Sequence, residues 1–149
     1  MQISEHYIPP GGRVLSPYLI VKDAPAALQF YRQAVGAIEI ERLSTPDGRI
    51  MHAELKIGTS RLMLNDAMMG FKGPQAMGGS PASFYVYVED CDAVFNRAVG
   101  AGAKVLPGMG EMADQFWGDR TGSFTDPFGY RWTIATHKEV LTPKEFEQR

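Results

Sequence analysis

The sequence predicts an α+β domain built from two βαβββ modules, with the helices on one face of the sheets. The first observation is an internal repeat: residues 18–23 read Tyr-Leu-Ile-Val-Lys-Asp, and residues 85–90 read Tyr-Val-Tyr-Val-Glu-Asp. The second is that a helical stretch follows each copy and ends in Ala-Val-Gly-Ala, at residues 34–37 and 98–101. Two copies are too few for a solenoid, so we expect two halves of a single domain, residues 1–149.

The third observation is a hairpin at residues 122–134. Residues 126–129 read Asp-Pro-Phe-Gly, which are the preferences of a type I turn. After the turn, Tyr130, Trp132 and Ile134 alternate with other residues at the period of a half-buried strand. The hairpin therefore has an apolar side for a core and a second side with polar groups that can face a cleft.

Each module has the same order of predicted elements. In the first module, residues 13–65, Asp23 can cap a helix and Gly36 can end it. Its predicted elements are a strand at 14–21, a helix at 24–35 and strands at 38–43, 49–57 and 61–65. The second module, residues 83–137, repeats them as a strand at 83–89, a helix at 91–100 and strands at 104–106, 120–125 and 130–136.

Residues 66–82 separate the two modules and contain four glycines, two prolines and three of the eight methionines. This composition is typical of a linker, and the alternative is a mobile, adaptable flap over a pocket. Residues 138–149 are predicted to be a C-terminal tail. Thr142 and Glu145 have capping-box spacing there, which predicts a short terminal helix.

Composition and charge argue against several classes of function. A net charge of −2 gives no support for nucleic acid or an anionic membrane as a partner. No apolar run approaches the length of a membrane span, and the first six residues lack the order of a signal peptide. The single cysteine, Cys91, excludes an intrachain disulfide and fits a reducing compartment. We therefore expect a cytoplasmic protein.

These features together resemble the vicinal-oxygen-chelate superfamily, the group of glyoxalases, bleomycin-resistance proteins and extradiol dioxygenases. The resemblance covers residues 14–137 and rests on the paired modules, on Val-x-Asp followed by Phe30 and Tyr31, and on the closing Asp-Pro-x-Gly hairpin. A PhnB-like branch is indicated by the amino-acid sequences of residues 51–58, 116–120 and 126–132. The resemblance implies a glyoxalase-like curved sheet with a cleft, with the helices on the convex faces. It also implies a homodimer, because exposed sheet edges are usually covered and relatives pair across a two-fold axis.

The resemblance also indicates where relatives hold a metal ion. In this sequence those positions are Ser16, Ser83, Thr133 and, within about one residue, Met63. Serine, threonine and methionine cannot replace the histidine and carboxylate ligands that a divalent cation requires. We therefore expect a metal-free member of the superfamily, with no cofactor.

Strand alternation predicts which side chains face the cleft instead. On the strand at 49–57, the helix side is assigned to Met51, Ala53, Leu55 and Ile57. His52, Glu54 and Lys56 then face the concave side, two residues apart. The other candidate cleft residues are Ser16, Tyr18, Ser83, Tyr85, Tyr87, Thr121, Ser123, Arg131, Thr133 and His137, together with Trp117 from the loop at 107–119.

Three functions fit this face. We favour a protein that binds a small organic molecule in its cleft. The first alternative is a lyase or isomerase in which His52 is the general base and Glu54 orients it. The second is a drug-sequestering protein of the bleomycin-binding kind, which needs a large acidic or aromatic cleft. A purely structural interpretation stays open as well, since His52 and Glu54 can form a solvated strand face. Stacking surfaces for a ligand are provided by Tyr18, Tyr85 and Tyr87.

Overall fold

The computed structural model describes residues 1–149 and contains two mixed sheets. The first sheet and its helix consist of β1 (Tyr18–Val21), α1 (Ala24–Val35), β2 (Ile38–Ser44), β3 (Ile50–Ile57) and β4 (Ser60–Asp66). Its strand order is β1-β4-β3-β2, with β1 parallel to β4 and the remaining pairs antiparallel. A short helix, α2 (Pro74–Met77), lies in the segment between the sheets.

The second sheet repeats this arrangement. Its elements are β5 (Ser83–Tyr87), α3 (Cys91–Gly100), β6 (Lys104–Val105), β7 (Ala113–Asp114), β8 (Asp119–Thr125) and β9 (Arg131–His137), followed by α4 (Pro143–Glu147). The strand order is β5-β9-β8-β6, and β7 pairs with the free part of β8. The predicted α+β class with paired βαβββ modules is confirmed. The two sheets share no hydrogen-bonded strand pair, so they do not form one closed sheet.

Both long helices have the predicted bounds because their end signals are local. The side chain of Asp23 accepts a hydrogen bond from the amide of Ala26, and Asp90 does the same for the second helix. Gly36 ends α1 with a φ of 69°, a left-handed conformation that glycine adopts without strain. The carboxylate of Asp66 accepts from the first amide of α1 at 2.7 Å, which ties that helix to the last strand of its own sheet.

One hydrophobic core joins the modules, in a cluster of 25 buried residues drawn from both. The predicted hairpin turn is anchored in it through Asp126, whose carboxylate accepts from the Tyr31 hydroxyl at 2.6 Å and the Trp132 indole at 2.9 Å. Burial raises the pKa of Asp126, and these hydrogen bonds offset part of the rise. The Tyr130 hydroxyl bonds both backbone groups of Ile20, so the hairpin also holds the edge of β1.

The strands differ from expectation mainly in three places. A short strand, β7 at Ala113–Asp114, lies within the loop that was expected at 107–119. The first strand begins at Tyr18 rather than at residue 14. In β3, His52 lies opposite Leu43 and Ile50 lies opposite Ser44, so Met51 is left without a partner in a β-bulge. The bulge turns Ile50 into the core and leaves Met51 45% exposed, so its assignment to the helix side was wrong.

The segment at 66–82 is only partly a free linker. Pro74 is buried in α2, and Gln75 donates a side-chain hydrogen bond to the Pro127 carbonyl at 2.9 Å. The second half of the segment is therefore fixed to the hairpin turn, and no helical period in residues 66–82 predicts α2. Residues 67–72 carry the exposed side chains of Met69 and Phe71 and have no such anchor to the hairpin.

Candidate functional site

Strand register gathers a group of polar side chains on the concave face of the first sheet. Tyr18 lies opposite Met63, Met63 opposite Glu54, and Glu54 opposite Glu41, in one row across all four strands. His52 is two residues from Glu54 on β3 and therefore shares its face. We call Tyr18, Glu41, His52 and Glu54 the first-sheet cluster.

His52 is the centre of this cluster. Its Nδ1 is 3.0 Å from the Tyr18 hydroxyl, and its Nε2 is 3.4 Å from a carboxylate oxygen of Glu41. The ligand atoms of Glu41, His52 and Glu54 all lie within 4.8 Å of one another. Burial raises the pKa of Tyr18. An imidazole fixed between a phenol and a carboxylate can accept or donate a proton at a defined position.

The carboxylate within ion-pair distance of His52 is therefore that of Glu41, at 3.4 Å from Nε2, and not the expected Glu54. Sequence reasoning predicted the strand that carries Glu41 but did not assign its face. The signal was hidden because the register of β2 shifts between Glu39 and Glu41, where Ile40 is left unpaired. Side-chain faces assigned by alternation from the two ends of the strand disagree across such a shift.

An apolar cavity of about 440 Å³ adjoins the first-sheet cluster. Tyr18 belongs to both, and Asn65 is the one amide in the cavity wall. We call this cavity the methionine pocket, because three of its residues are methionines from the bulge and from the segment at 66–82. Its lining consists of Tyr18, Ile20, Met51, Asn65, Met68, Met69 and Phe71. An apolar cavity with a few convergent polar groups is the usual form of a small-molecule site.

The second sheet carries a different polar group centred on Asp119, which is only 3% exposed. One carboxylate oxygen accepts from the hydroxyls of Tyr85 and Tyr87, at 2.6 and 3.0 Å, and from the Trp117 indole at 3.2 Å. The other oxygen lies 2.8 Å from Nδ1 of His137. We call these five residues the second-sheet cluster.

Four side chains surround the carboxylate of Asp119 within hydrogen-bonding distance and set its electrostatics. Burial raises the pKa of this carboxyl, but hydrogen bonds from Tyr85, His137, Tyr87 and Trp117 outweigh burial and hold the pKa below its usual value. Burial and the bond to Asp119 raise the pKa of Tyr85 to about 12. Sequence reasoning placed the tyrosines, Trp117 and His137 at the site but missed the aspartate that gathers them.

The remaining candidates lie elsewhere on the second sheet. Thr133 and Ser123 share a hydrogen bond of 2.7 Å, and Thr121 is buried and accepts from Gln115 at 3.0 Å. Ser83 and Arg131 lie opposite each other at the far end of the sheet. No hydrogen bond or ion pair joins any residue of the second-sheet cluster to the first-sheet cluster within the chain.

The positions at which relatives hold a metal do not fit one here. Tyr18 pairs with Met63 as Tyr85 pairs with Thr133, so the register makes Met63 and Thr133 equivalent. A thioether and a hydroxyl at these places, with Ser16 and Ser83 at the others, offer no histidine or carboxylate. The inherited site therefore lacks the ligands of a divalent cation.

A second groove, of about 520 Å³, lies near the start of α1 and is bounded by Lys22, Asp23, Asp47 and Arg49. It is more open and is lined mostly by polar residues, and Arg49 is already paired with Asp47. The methionine pocket is the better candidate although it is smaller, because its apolar wall meets the oriented side chains of the first-sheet cluster.

Two βαβββ modules, with polar and aromatic residues on their concave faces, define a glyoxalase-like protein. The chain belongs to the Glyoxalase/Bleomycin resistance protein/Dioxygenase superfamily, whose family model matches residues 12–134. No helix here combines the length and the apolar character that crossing a bilayer requires.

Individual relatives agree with this assignment. An uncharacterised protein of Mycobacterium tuberculosis is 44% identical over 126 residues, which are 81% of this chain and 72% of the relative. A crystal structure of an Arabidopsis thaliana gene product is 29% identical, covers 83% of this chain and 98% of its own, and superposes with a TM-score of 0.67. The PhnB protein of Bacillus cereus, 18% identical with a TM-score of 0.66 over 83% of this chain and 99% of its own, shares the fold. The predicted family and its PhnB-like neighbours are thus confirmed.

Proposed function

We propose that the chain binds a small organic molecule in the methionine pocket, without a metal at the positions that relatives use. The supporting observation is that Tyr18 lines an apolar cavity of about 440 Å³, and that its hydroxyl also lies 3.0 Å from Nδ1 of His52. Apolar walls supply affinity through buried area, and a few placed polar groups supply orientation. Methionines at Met51, Met68 and Met69 suit this role because their side chains adapt to irregular shapes.

The charges around the pocket narrow the chemistry of the ligand. Glu41 and Glu54 put two carboxylates beside His52, whereas no lysine or arginine lines the cavity. A neutral or cationic ligand is therefore favoured over an anion. Its apolar body should be large enough to contact Phe71 and the methionines, and it should carry a group that bonds to His52 or Tyr18.

We also propose that two copies of this chain form a homodimer. β2 is an edge strand exposed along its whole length, and Ile38, Ile40 and Leu43 are 60%, 46% and 57% exposed. Unpaired edges with apolar side chains are usually covered. Light scattering should give twice the chain mass of 16.4 kDa, and a mass near 16.4 kDa at all concentrations would exclude the dimer. A cytoplasmic location is also proposed, since Cys91 is a free, buried thiol.

An enzyme of the lyase or isomerase type is the second candidate, because His52 lies between Tyr18 and Glu41. In that case His52 is the general base, and Glu41 together with Glu54 orients it. The drug-sequestering alternative draws support from the exposed aromatic rings of the concave faces, such as Tyr87. Turnover of a bound compound separates the enzyme from both binding functions.

A thermal-shift screen tests the proposal. Neutral and cationic aromatic compounds are added to the protein, and a ligand at 100 times its Kd stabilises the folded state by about 2.7 kcal/mol. The best hit is then measured on Phe71→Ala, which removes a pocket wall, and on Phe146→Ala as a matched control in α4. We expect weaker binding only for Phe71→Ala. Equal affinity of both variants and the unaltered chain would place the ligand outside the pocket.

A further inference from the structure

We propose that Glu41, His52 and Glu54 together bind one divalent metal ion on the concave face of the first sheet. Their ligand atoms, one nitrogen and carboxylate oxygens, lie within 4.8 Å of one another, so one ion can reach all three. Nitrogen and carboxylate ligands without a thiolate suit Mn²⁺, Fe²⁺, Co²⁺ or Zn²⁺. This site goes beyond the proposed ligand binding and does not depend on it.

The backbone fixes the spacing of the three ligands. β2 and β3 are hydrogen-bonded antiparallel neighbours, Glu41 lies directly opposite Glu54, and His52 is two residues away on the same face. The cluster is therefore part of a paired sheet and not of a loose surface loop. Paired strands hold ligands with less freedom than loops do, which lowers the entropy cost of binding an ion.

Charge gives a second and independent reason for a cation. Like charges directly opposite each other on neighbouring strands are destabilising. Neither Glu41 nor Glu54 has a lysine or arginine within 4.0 Å, and Arg42 and Arg49 pair with other carboxylates. A divalent ion between the two carboxylates would replace their repulsion with attraction.

The orientation of His52 fits the same role. Nδ1 lies 3.0 Å from the Tyr18 hydroxyl, so Nε2 faces the Glu41 carboxylate at 3.4 Å. A metal-binding histidine usually has its second nitrogen held by such a hydrogen bond, which fixes the ring and the tautomer. The side chain of His52 is 29% exposed. Positions of the ion that the protein does not fill therefore stay open to water or to a ligand.

The site differs from the inherited one. Relatives take metal ligands from the first and last strands of each module, here at Ser16, Met63, Ser83 and Thr133. The proposed ligands come from β2 and β3 of the first module alone. The expectation that the inherited positions hold no metal stays a prediction, and the proposed site is an alternative to the expectation of a protein without any metal.

Metal titration of chelator-treated protein, without any organic ligand, tests the site. Mn²⁺ binding is followed by loss of the free-ion electron paramagnetic resonance signal, and Co²⁺ binding by visible absorption. We expect one ion per chain. Glu41→Gln, His52→Ala and Glu54→Gln should each weaken affinity at least about tenfold. Glu39→Gln, on the same strand but outside the cluster, is the matched control and should bind as the unaltered chain does.

Several outcomes decide the matter. Absence of saturable binding at one ion per chain would overturn the proposal, and so would binding that survives all three substitutions. Phe71→Ala should leave metal affinity unchanged, so that failure of the pocket and failure of the metal site give different patterns. Should His52→Ala not fold, the two glutamine variants decide alone. In metal-free protein Glu54→Gln should raise the urea midpoint, since it removes the repulsion from Glu41.

Discussion

Each sheet belongs to one copy of the module, so the two sheets have equivalent positions. The residues at those positions have different hydrogen-bond partners. Tyr18 and Tyr85 occupy the same position by register, as do Met63 and Thr133, and Glu54 and Ser123. In the second sheet, the tyrosine hydroxyl donates to a buried aspartate whose oxygens are fully engaged. In the first sheet, it meets a half-buried histidine beside two carboxylates that have no lysine or arginine partner.

Equivalent residues therefore have different surroundings in the two modules: in the second they are satisfied within the fold, and in the first we propose that they contact a ligand. A buried carboxylate with four hydrogen-bond partners is satisfied by the fold and has little capacity left for a ligand. The open carboxylates near His52 keep that capacity and adjoin an apolar cavity. The first sheet is therefore where we place function, and the second sheet is where we expect substitutions to cost stability.

The largest loss of stability should follow from Asp119→Ala. This change leaves the donors of Tyr85, Tyr87 and Trp117 without their shared acceptor and should cost about 3 kcal/mol of unfolding free energy. Urea unfolding followed by circular dichroism measures it. Glu54→Ala, on the first sheet, is the control and should cost far less. Equal costs for both variants would remove the distinction between the sheets.

The equivalent tyrosines test the difference between the two sheets, because each phenylalanine variant removes one oxygen atom. Tyr85→Phe loses a hydrogen bond to a buried carboxylate and should cost about 1.5 kcal/mol of stability. Tyr18→Phe should change stability less, but should weaken binding of the best hit from the thermal-shift screen. The opposite pattern, with Tyr18→Phe as the less stable variant, would show that the first-sheet cluster is structural.

Acid should reduce the contribution of Asp119 to stability. The pKa of Asp119 is lower in the folded state than in the unfolded state, so its contribution is present above the unfolded value and is lost as pH falls through the folded one. The stability difference between the unaltered chain and Asp119→Asn should therefore shrink as pH falls below about 4. A difference that stays constant from pH 7 to 3 would contradict the lowered pKa.

Local dynamics give a smaller effect. Residues 67–72 flank the methionine pocket without an anchor to the hairpin, whereas residues 73–77 are fixed to it. Backbone amides at 68–72 should exchange hydrogen fastest within the segment and should slow when a pocket ligand binds. The amide of Ala67 is bonded to the Val21 carbonyl at 2.8 Å and is left out of this comparison. Amides at 75–77 serve as the internal control. Strand-like protection at 68–72 in the free protein would show that this part is fixed as well.

Local signals explain why much of the fold could be predicted. Asp23 and Gly36 act within a few residues of the helix ends that they specify, and the turn at residues 126–129 is closed by a local hydrogen bond from the Gly129 amide to the Asp126 carbonyl. Thr142 and Glu145 likewise form the expected capping box. Such elements can be read from sequence because their determinants are close along the chain.

The candidate site was harder to predict than the fold, because it depends on strand register and on contacts between residues that are distant along the chain. Bulges at Ile40 and Met51 break the alternation from which faces were assigned, so Glu41 was missed. Asp119 was missed because its tyrosine partners are 32 and 34 residues away along the chain, and no local pattern links them. His52 was placed correctly on the concave face, since the bulge lies before it and not after it.

The most direct test of function in the first sheet is His52→Ala, with unfolding and binding measured on the same sample. His52 is on the concave face and outside the core, so unfolding free energy should fall by less than about 1 kcal/mol. Affinity for the best hit from the thermal-shift screen should fall at least about tenfold, which is about 1.4 kcal/mol. A large loss of stability with unchanged affinity would contradict the assignment of function to the first sheet.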